Sequence, residues 1–207
     1  MNYSSVRQHC LALLLCLLCS TQVKAKTLFV GDSLTPTVSK EYQKLSAQPV
    51  AAEYRVGSGL HSQKRFNWFT HIEKLDLAGY DDIVIVLGTN DQIEQRDINP
   101  YIRKIWEFVR IVHQKNPRAR IVWISPVPLK DTVKNTKLEN TTLALRYTLN
   151  YMRVPYIDLQ RPERLGREYA LDSSRLSLRT DDGIHLTTKG GRFVANILLS
   201  EYREINY

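Results

Sequence analysis

The sequence predicts an α/β protein, a parallel sheet with helices on both faces. Three observations carry this. Asp82–Gly88 (DIVIVLG) and Arg120–Ser125 (RIVWIS) are unbroken apolar runs of strand length, the pattern of strands covered on both sides. Segments with helical spacing alternate with strand-like segments along the chain. Once a leader is set aside, roughly 180 residues remain, a length suited to one domain with one core.

Each element has its own signal. Thr27–Val30 is the first strand, and Lys40–Ser46 a short helical stretch. Val50–Val56 alternates and runs into closely spaced glycines, which reads as a strand. In Phe66–Leu75 the residues Phe66, Phe69 and Ile72 share a helical face, with Trp68 nearby. Pro100–Gln114 opens on proline in its first turn and carries Ile102, Ile105, Trp106, Val109 and Val112 at helical spacing. The strand Arg120–Ser125 is stopped by Pro126 and Pro128. Asn135–Met152 is helical, Pro155–Leu159 a short fifth strand, and Thr188–Tyr202 a closing helix with Phe193, Val194, Ile197 and Leu198 inward. Right-handed crossovers place these helices on the two faces. Arg161–Leu186 is the one long stretch without clear periodicity, and such loops in compact domains are often functional.

The N-terminus reads as an export signal. Arg7 precedes the apolar run Leu11–Cys19, and Val23-Lys24-Ala25 supplies a cleavage site, so residues 1–25 form a leader cut after Ala25 and residues 26–207 the mature domain. The run is shorter than the ~20 residues that span a bilayer. A lipid anchor on Cys19 is the alternative, disfavoured because Leu18 sits where a small residue is needed. The expected location is periplasmic or secreted. All three cysteines (Cys10, Cys16, Cys19) lie in the leader, so the mature chain has no disulfide and no thiolate zinc site. Net charge is +8, or +6 without Arg7 and Lys24, since the leader has no acidic residue. The scattered basic residues give either a solvated surface or one drawn to anionic envelope polymers or lipid headgroups. Export and the lack of a basic stripe argue against nucleic acid.

The chemistry-bearing residues fall at strand ends. In open parallel sheets ligands bind outside the carboxyl ends of the strands. Ser33 follows the first strand, Gly57–Leu60 the second and Asn90 the third, so all three land on one rim. A serine nucleophile needs a base within hydrogen-bond reach. Among five histidines, His185 sits three residues after Asp182, a spacing that lets the carboxylate orient the imidazole; Asp181 is the fallback partner. His61, His71 and His113 have no motif partner, and His9 is in the leader. An oxyanion would need donors: the Ser33 N–H, and the N–H of Gly57 or Gly59. Gly88-Thr89-Asn90-Asp91 reads either as a turn or as the source of a side-chain donor. Asp32 is expected to support the loop or cap the next helix. Arg55 contacts an acyl or sugar group or, more simply, is a solvated arginine at a strand end.

Four segments, Gly31-Asp32-Ser33-Leu34, Gly57-Ser58-Gly59-Leu60, Gly88-Thr89-Asn90-Asp91 and Asp182-Gly183-Ile184-His185, occur in the order of the four signature blocks of the SGNH (GDSL-type) hydrolase superfamily, which the chain resembles over nearly its whole mature length. The resemblance implies a three-layer α/β/α sandwich with a flavodoxin-like five-stranded parallel sheet in the order 2-1-3-4-5. It implies a Ser33, His185, Asp182 triad and an oxyanion hole of Ser33, Gly59 and Asn90, with Gly59 preferred to Gly57. No metal or organic cofactor is required. Tyr54–Leu60 (YRVGSGL), Phe66-Asn67-Trp68 and Val86–Asp91 (VLGTND) further resemble an exported bacterial branch linked to acyl esters on extracellular glycans. The implied activity is hydrolysis of a carboxylic ester, an O-acetyl group on an envelope or extracellular polysaccharide, through an acyl-serine. Three rivals stand beside it: an acyltransferase with the same triad and a sugar acceptor, a lysophospholipase or thioesterase, and a non-catalytic glycan-binding protein. The second would need an apolar acyl channel that no loop cluster suggests, and the presence of all four catalytic residue types argues against the third.

Overall fold

The computed structural model describes residues 25–204 except Arg65 and Leu171. The expected leader therefore lies outside the described residues, apart from Ala25. The elements are β1 (Thr27–Gly31), α1 (Thr35–Ser46), β2 (Val50–Tyr54), α2 (Trp68–Lys74), β3 (Asp82–Val86), α3 (Ile98–Lys115), β4 (Arg120–Ile124), α4 (Thr132–Tyr151), β5 (Tyr156–Ile157), α5 (Ser173–Leu176) and α6 (Thr188–Glu204). All strand pairings are parallel, in the order β2-β1-β3-β4-β5. Among the described residues no helix is long and apolar enough to cross a membrane.

The unbroken apolar runs are explained by two cores. Side chains alternate across a strand. Leu28, Val30, Ile83, Ile85, Ile121 and Trp123 enter one core with α2, α3 and α4. Phe29, Val84, Val86, Val122 and Ile124 enter the other with α1 and α6. The two central strands, β1 and β3, are buried at every position. Gly31 lets them stay close at their ends: a Cβ there would stand 2.0 Å from the Val86 carbonyl oxygen and 2.6 Å from Thr35 Oγ1. The chain leaves β1 at that glycine, with the Asp32 N–H still bonded to Val86 O at 2.9 Å, and turns into α1.

Several element bounds and faces differ from expectation. α1 begins at Thr35 rather than Lys40, because Pro36 suits a helix's first turn. β2 ends at Tyr54, two residues early. On α2 the buried anchors are Trp68 and Ile72, not the Phe66 and Phe69 face. Asn67 caps that helix, its side-chain oxygen accepting from the Phe69 and Thr70 N–H groups. On α3 the buried row runs through Tyr101, Ile105, Phe108 and Val112, which leaves Trp106 46% exposed. β5 has two residues instead of five, since the Ser125 hydroxyl takes the Leu159 N–H at 2.8 Å and ends the ladder. The irregular stretch before α6 holds the short α5 and an antiparallel bridge between Arg179 and Leu186.

Candidate active site

Ser33 lies in the turn between β1 and α1, at the carboxyl edge of the sheet. Its hydroxyl is 2.8 Å from His185 Nε2, although 152 residues separate the two. His185 Nδ1 is 2.6 Å from Asp182 Oδ2. An acceptor at that distance fixes the proton on Nδ1 and leaves Nε2 to accept from the serine. The Asp182 carboxylate is itself held: Oδ1 accepts from the Thr180 hydroxyl (2.7 Å), the Ile184 N–H (2.8 Å) and the His185 N–H (2.9 Å). Partial desolvation alone would raise its pKa. The bonds from the His185 ring, from the His185 and Ile184 amides and from Thr180 outweigh it and hold the carboxyl well below the usual range. Asp182, not Asp181, is the residue against the imidazole.

A buried arginine underpins this loop. Arg179 is 5% exposed and donates through Nη2 to Ile184 O (3.0 Å) and through Nε to His185 O (3.3 Å). Its guanidinium stacks on the Tyr169 ring at 4.8 Å, and the Tyr169 hydroxyl ties back to Thr180 O at 2.8 Å. Burial lowers the Arg179 pKa to about 10, so it remains charged at neutral pH. Nothing in the sequence pattern around Arg179 signals this role.

The other two rim segments are hooked together. The Gly88–Asp91 segment is a turn, closed by the Asp91 N–H on Gly88 O at 3.0 Å, with Asn90 within it. Asn90 Nδ2 donates to Ser58 O at 3.0 Å, which engages one of its two hydrogens. Asp91 points the other way, into the protein. Its carboxylate accepts from the Leu60 N–H (3.1 Å), the His61 N–H (2.7 Å) and the Tyr101 hydroxyl (2.5 Å). Burial pushes the Asp91 pKa up against these three donors. A Cβ on Gly59 would fall 2.1 Å from Asp91 Oδ1, so only glycine fits there. Ser58 adds a further tie: its hydroxyl donates to Arg55 O (2.7 Å) and accepts from the buried Trp68 indole (2.9 Å). The backbone around Gly59 is thus fixed on both sides, whereas Gly57, at φ +68, makes the bend. Neither Ser33 N–H nor Gly59 N–H has an acceptor among the described residues.

Three further residues weighed in the sequence take structural roles here. His61 is held through its backbone, its amide gripped by Asp91, and its ring lies edge-on to Tyr101 at 6.4 Å. Arg55 lies over the Phe66 ring at 5.2 Å and bonds Tyr54 O, a surface role. Asp32 supports the loop rather than capping α1, whose N-cap is Leu34. Asp32 Oδ1 accepts from the Leu34 N–H at 3.0 Å. Its Oδ2 is buried without a well-formed hydrogen bond. Burial lifts this carboxyl from 3.8 to about 7, opposed by Leu34 and Thr89 and reinforced by the charge of Asp91. Among the described residues, no cluster of three or more His, Cys, Asp or Glu side chains is disposed to hold a metal ion.

The family described as "Protein of unknown function (DUF459)" matches residues 26–201. The chain belongs to it. No curated protein matches this DUF459 member in sequence. Its fold is shared with solved structures of low identity. A carbohydrate esterase family 3 protein from Talaromyces cellulolyticus superposes with a TM-score of 0.62 at 17% identity, covering 87% of this chain and 97% of that one. A peptidoglycan O-acetylesterase gives 0.59 at 20% identity, over 77% of this chain and 48% of that one. A salicylyl-acyltransferase from a tetracycline biosynthetic pathway gives 0.58 at 18%, over 90% and 56%. The strand order 2-1-3-4-5 and the α/β layering are those of the SGNH hydrolase superfamily, as the four sequence blocks imply.

Proposed function

We propose that this DUF459 member is an exported serine esterase that removes acyl groups, O-acetyl in particular, from an envelope or extracellular polysaccharide. The observation that carries the reading is the continuous chain from Ser33 Oγ through the His185 ring to Asp182, with distances of 2.8 and 2.6 Å. In this reading His185 Nε2 takes the Ser33 proton as the hydroxyl attacks the ester carbonyl. The ionised Asp182 stabilises the imidazolium. The developing oxyanion is met by the N–H groups of Ser33 and Gly59 and by the second hydrogen of the Asn90 amide. The leaving sugar hydroxyl takes the proton from His185, which then activates water to release the acid and restore Ser33.

Gly59 is preferred to Gly57 because Asn90 and Asp91 hold the peptide units on either side of it. The likeness in fold to a carbohydrate esterase and a peptidoglycan O-acetylesterase supports the choice of an acylated glycan. An acyltransferase shares the fold too, and the same acyl-enzyme would serve it if a sugar hydroxyl replaced water. The test is acetate release from purified O-acetylated polysaccharide, with and without a sugar acceptor. Release that needs Ser33 and ignores the acceptor is the expected result. Acetyl transfer that outpaces release would make the protein a transferase, and neither product would overturn the reading.

A further inference from the structure

The outward face of α4 is unlike a solvated helix face. Leu143, Arg146, Tyr147, Asn150 and Tyr151 recur at i, i+3, i+4, i+7 and i+8 and are all exposed, Tyr147 by 63% and Tyr151 by 76%. The opposite face packs on the sheet through Ala144, Leu145 and Leu149. α4 therefore carries apolar or aromatic side chains on both faces, although one is enough to dock a helix on a core.

A groove of about 800 Å³ lies beside this face, lined by Leu143 and Tyr147 and by three arginines, Arg146, Arg153 and Arg161. A second cavity of about 440 Å³ shares Arg153, Val154 and Pro155 with it and extends to Arg110 and the exposed Trp106 on α3. Asp158 is the one acidic residue lining either cavity, and Arg146 already holds it at 2.8 Å. Arg161 has a loose, exposed pairing with Glu163 at 3.9 Å, which is worth little. Cationic donors thus outnumber acceptors along a surface that also shows three exposed aromatic rings. Val154 and Pro155 precede β5 and Asp158 and Arg161 follow it, so the groove runs along the β5 edge of the sheet, and its lining includes none of Ser33, Gly59, Asn90, Asp182 and His185.

We propose that this groove binds an anionic polysaccharide, a polymer bearing carboxylates, at a site separate from Ser33. Guanidinium forks pair with carboxylates in two-point contacts. Exposed Tyr and Trp rings are large, rigid and amphipathic, suited to the apolar faces of sugar rings. An acidic glycan offers both chemistries along one chain, and the groove's one acid, Asp158, is already paired with Arg146. The choice of a glycan rests on the esterase reading. A polymer held here raises the local concentration of its own acyl groups at the cleft, without any new contact there.

The test measures binding by affinity electrophoresis and calorimetry, with polygalacturonate as probe. Neutral dextran, single-stranded DNA and phosphatidylglycerol vesicles are the comparison arms. Wild type and Ser33→Ala are expected to bind polygalacturonate equally. Tyr147→Ser combined with Arg153→Gln should weaken binding about tenfold or more, the loss of one charge-assisted hydrogen bond. Arg161→Gln should act in the same direction. All these groove variants should hydrolyse p-nitrophenyl acetate at the wild-type rate. The proposal is overturned if the groove variants bind like wild type, if dextran, DNA or vesicles bind as tightly, or if Ser33→Ala loses the polymer. Groove-dependent binding by a chain that turns over no ester would sink the esterase reading and leave the groove standing.

Discussion

Replacing Asp32 by Asn isolates the energetics of the most deeply buried acid in the site. Asp32 is fully buried, and its carboxyl is lifted from 3.8 to about 7, chiefly by desolvation. Between these two values the folded protein holds a proton that the unfolded chain has lost, so stability falls as pH rises through this window. At 1.36 kcal/mol per pH unit the span corresponds to at most about 4 kcal/mol. Asn keeps an oxygen for the Leu34 N–H and cannot ionise. Any loss from the altered Oδ2 position is the same at every pH and cancels in the comparison. Urea denaturation followed by circular dichroism at pH 4.5 and 7.5 gives the four free energies needed. Asp32→Asn should gain on the wild type by about 2–4 kcal/mol between the lower and the higher pH. Asp91, also raised, keeps a residual slope in both proteins. Parallel pH profiles for the two proteins would show that Asp32 ionises freely in the fold and would refute the reasoning.

The same geometry yields three expectations for activity. Asp91→Asn leaves an amide NH₂ facing at least one of the Leu60 and His61 N–H groups, a loss of about 1–3 kcal/mol in stability, and it loosens Gly59 enough to lower kcat about 100-fold; thermal melts and ester kinetics check this, and kcat within twofold of wild type would dismiss the grip. Asn90→Ala should lower kcat about 100-fold or more with little change in KM, as measured on a small acetyl ester by a variant with a native dichroism spectrum. Asp182→Asn should lower kcat less than His185→Ala does, about 10⁴-fold against about 10⁶-fold, since the carboxylate orients a base it does not replace; unchanged turnover would move the orienting role to Asp181.

Much of the fold was legible because burial writes itself into strands directly. The runs in β1, β3 and β4 could only belong to strands with a core on each side, and the helices between them follow from connection rules. Element ends were less legible. β5 stops after two residues because the Ser125 side chain, remote in sequence, captures the Leu159 amide. Trp106 looked inward by spacing, yet the buried row of α3 is the one through Tyr101 and Phe108. Ser33 and Asn90 were legible as short motifs at strand ends, and Asp182 and His185 by their spacing just before the last helix, so all four could be singled out in advance. Their supports could not. Asp91 and Arg179 act on backbone groups whose positions depend on the folded loops, and no spacing rule connects Asp91 with Leu60 or distinguishes Arg179 from a surface arginine. The one available hint for Asp91 was an acid three residues past the end of an apolar run, which by itself reads as a turn.

The central claim is that Ser33 is an acyl-carrying nucleophile driven by His185. Its most direct measurement is the reaction of the protein with a fluorophosphonate probe, mapped by peptide mass spectrometry and followed in time. The account predicts one adduct, on Ser33, absent from Ser33→Ala and formed far more slowly in His185→Ala. An adduct on another residue, or labelling that persists in Ser33→Ala, would contradict it.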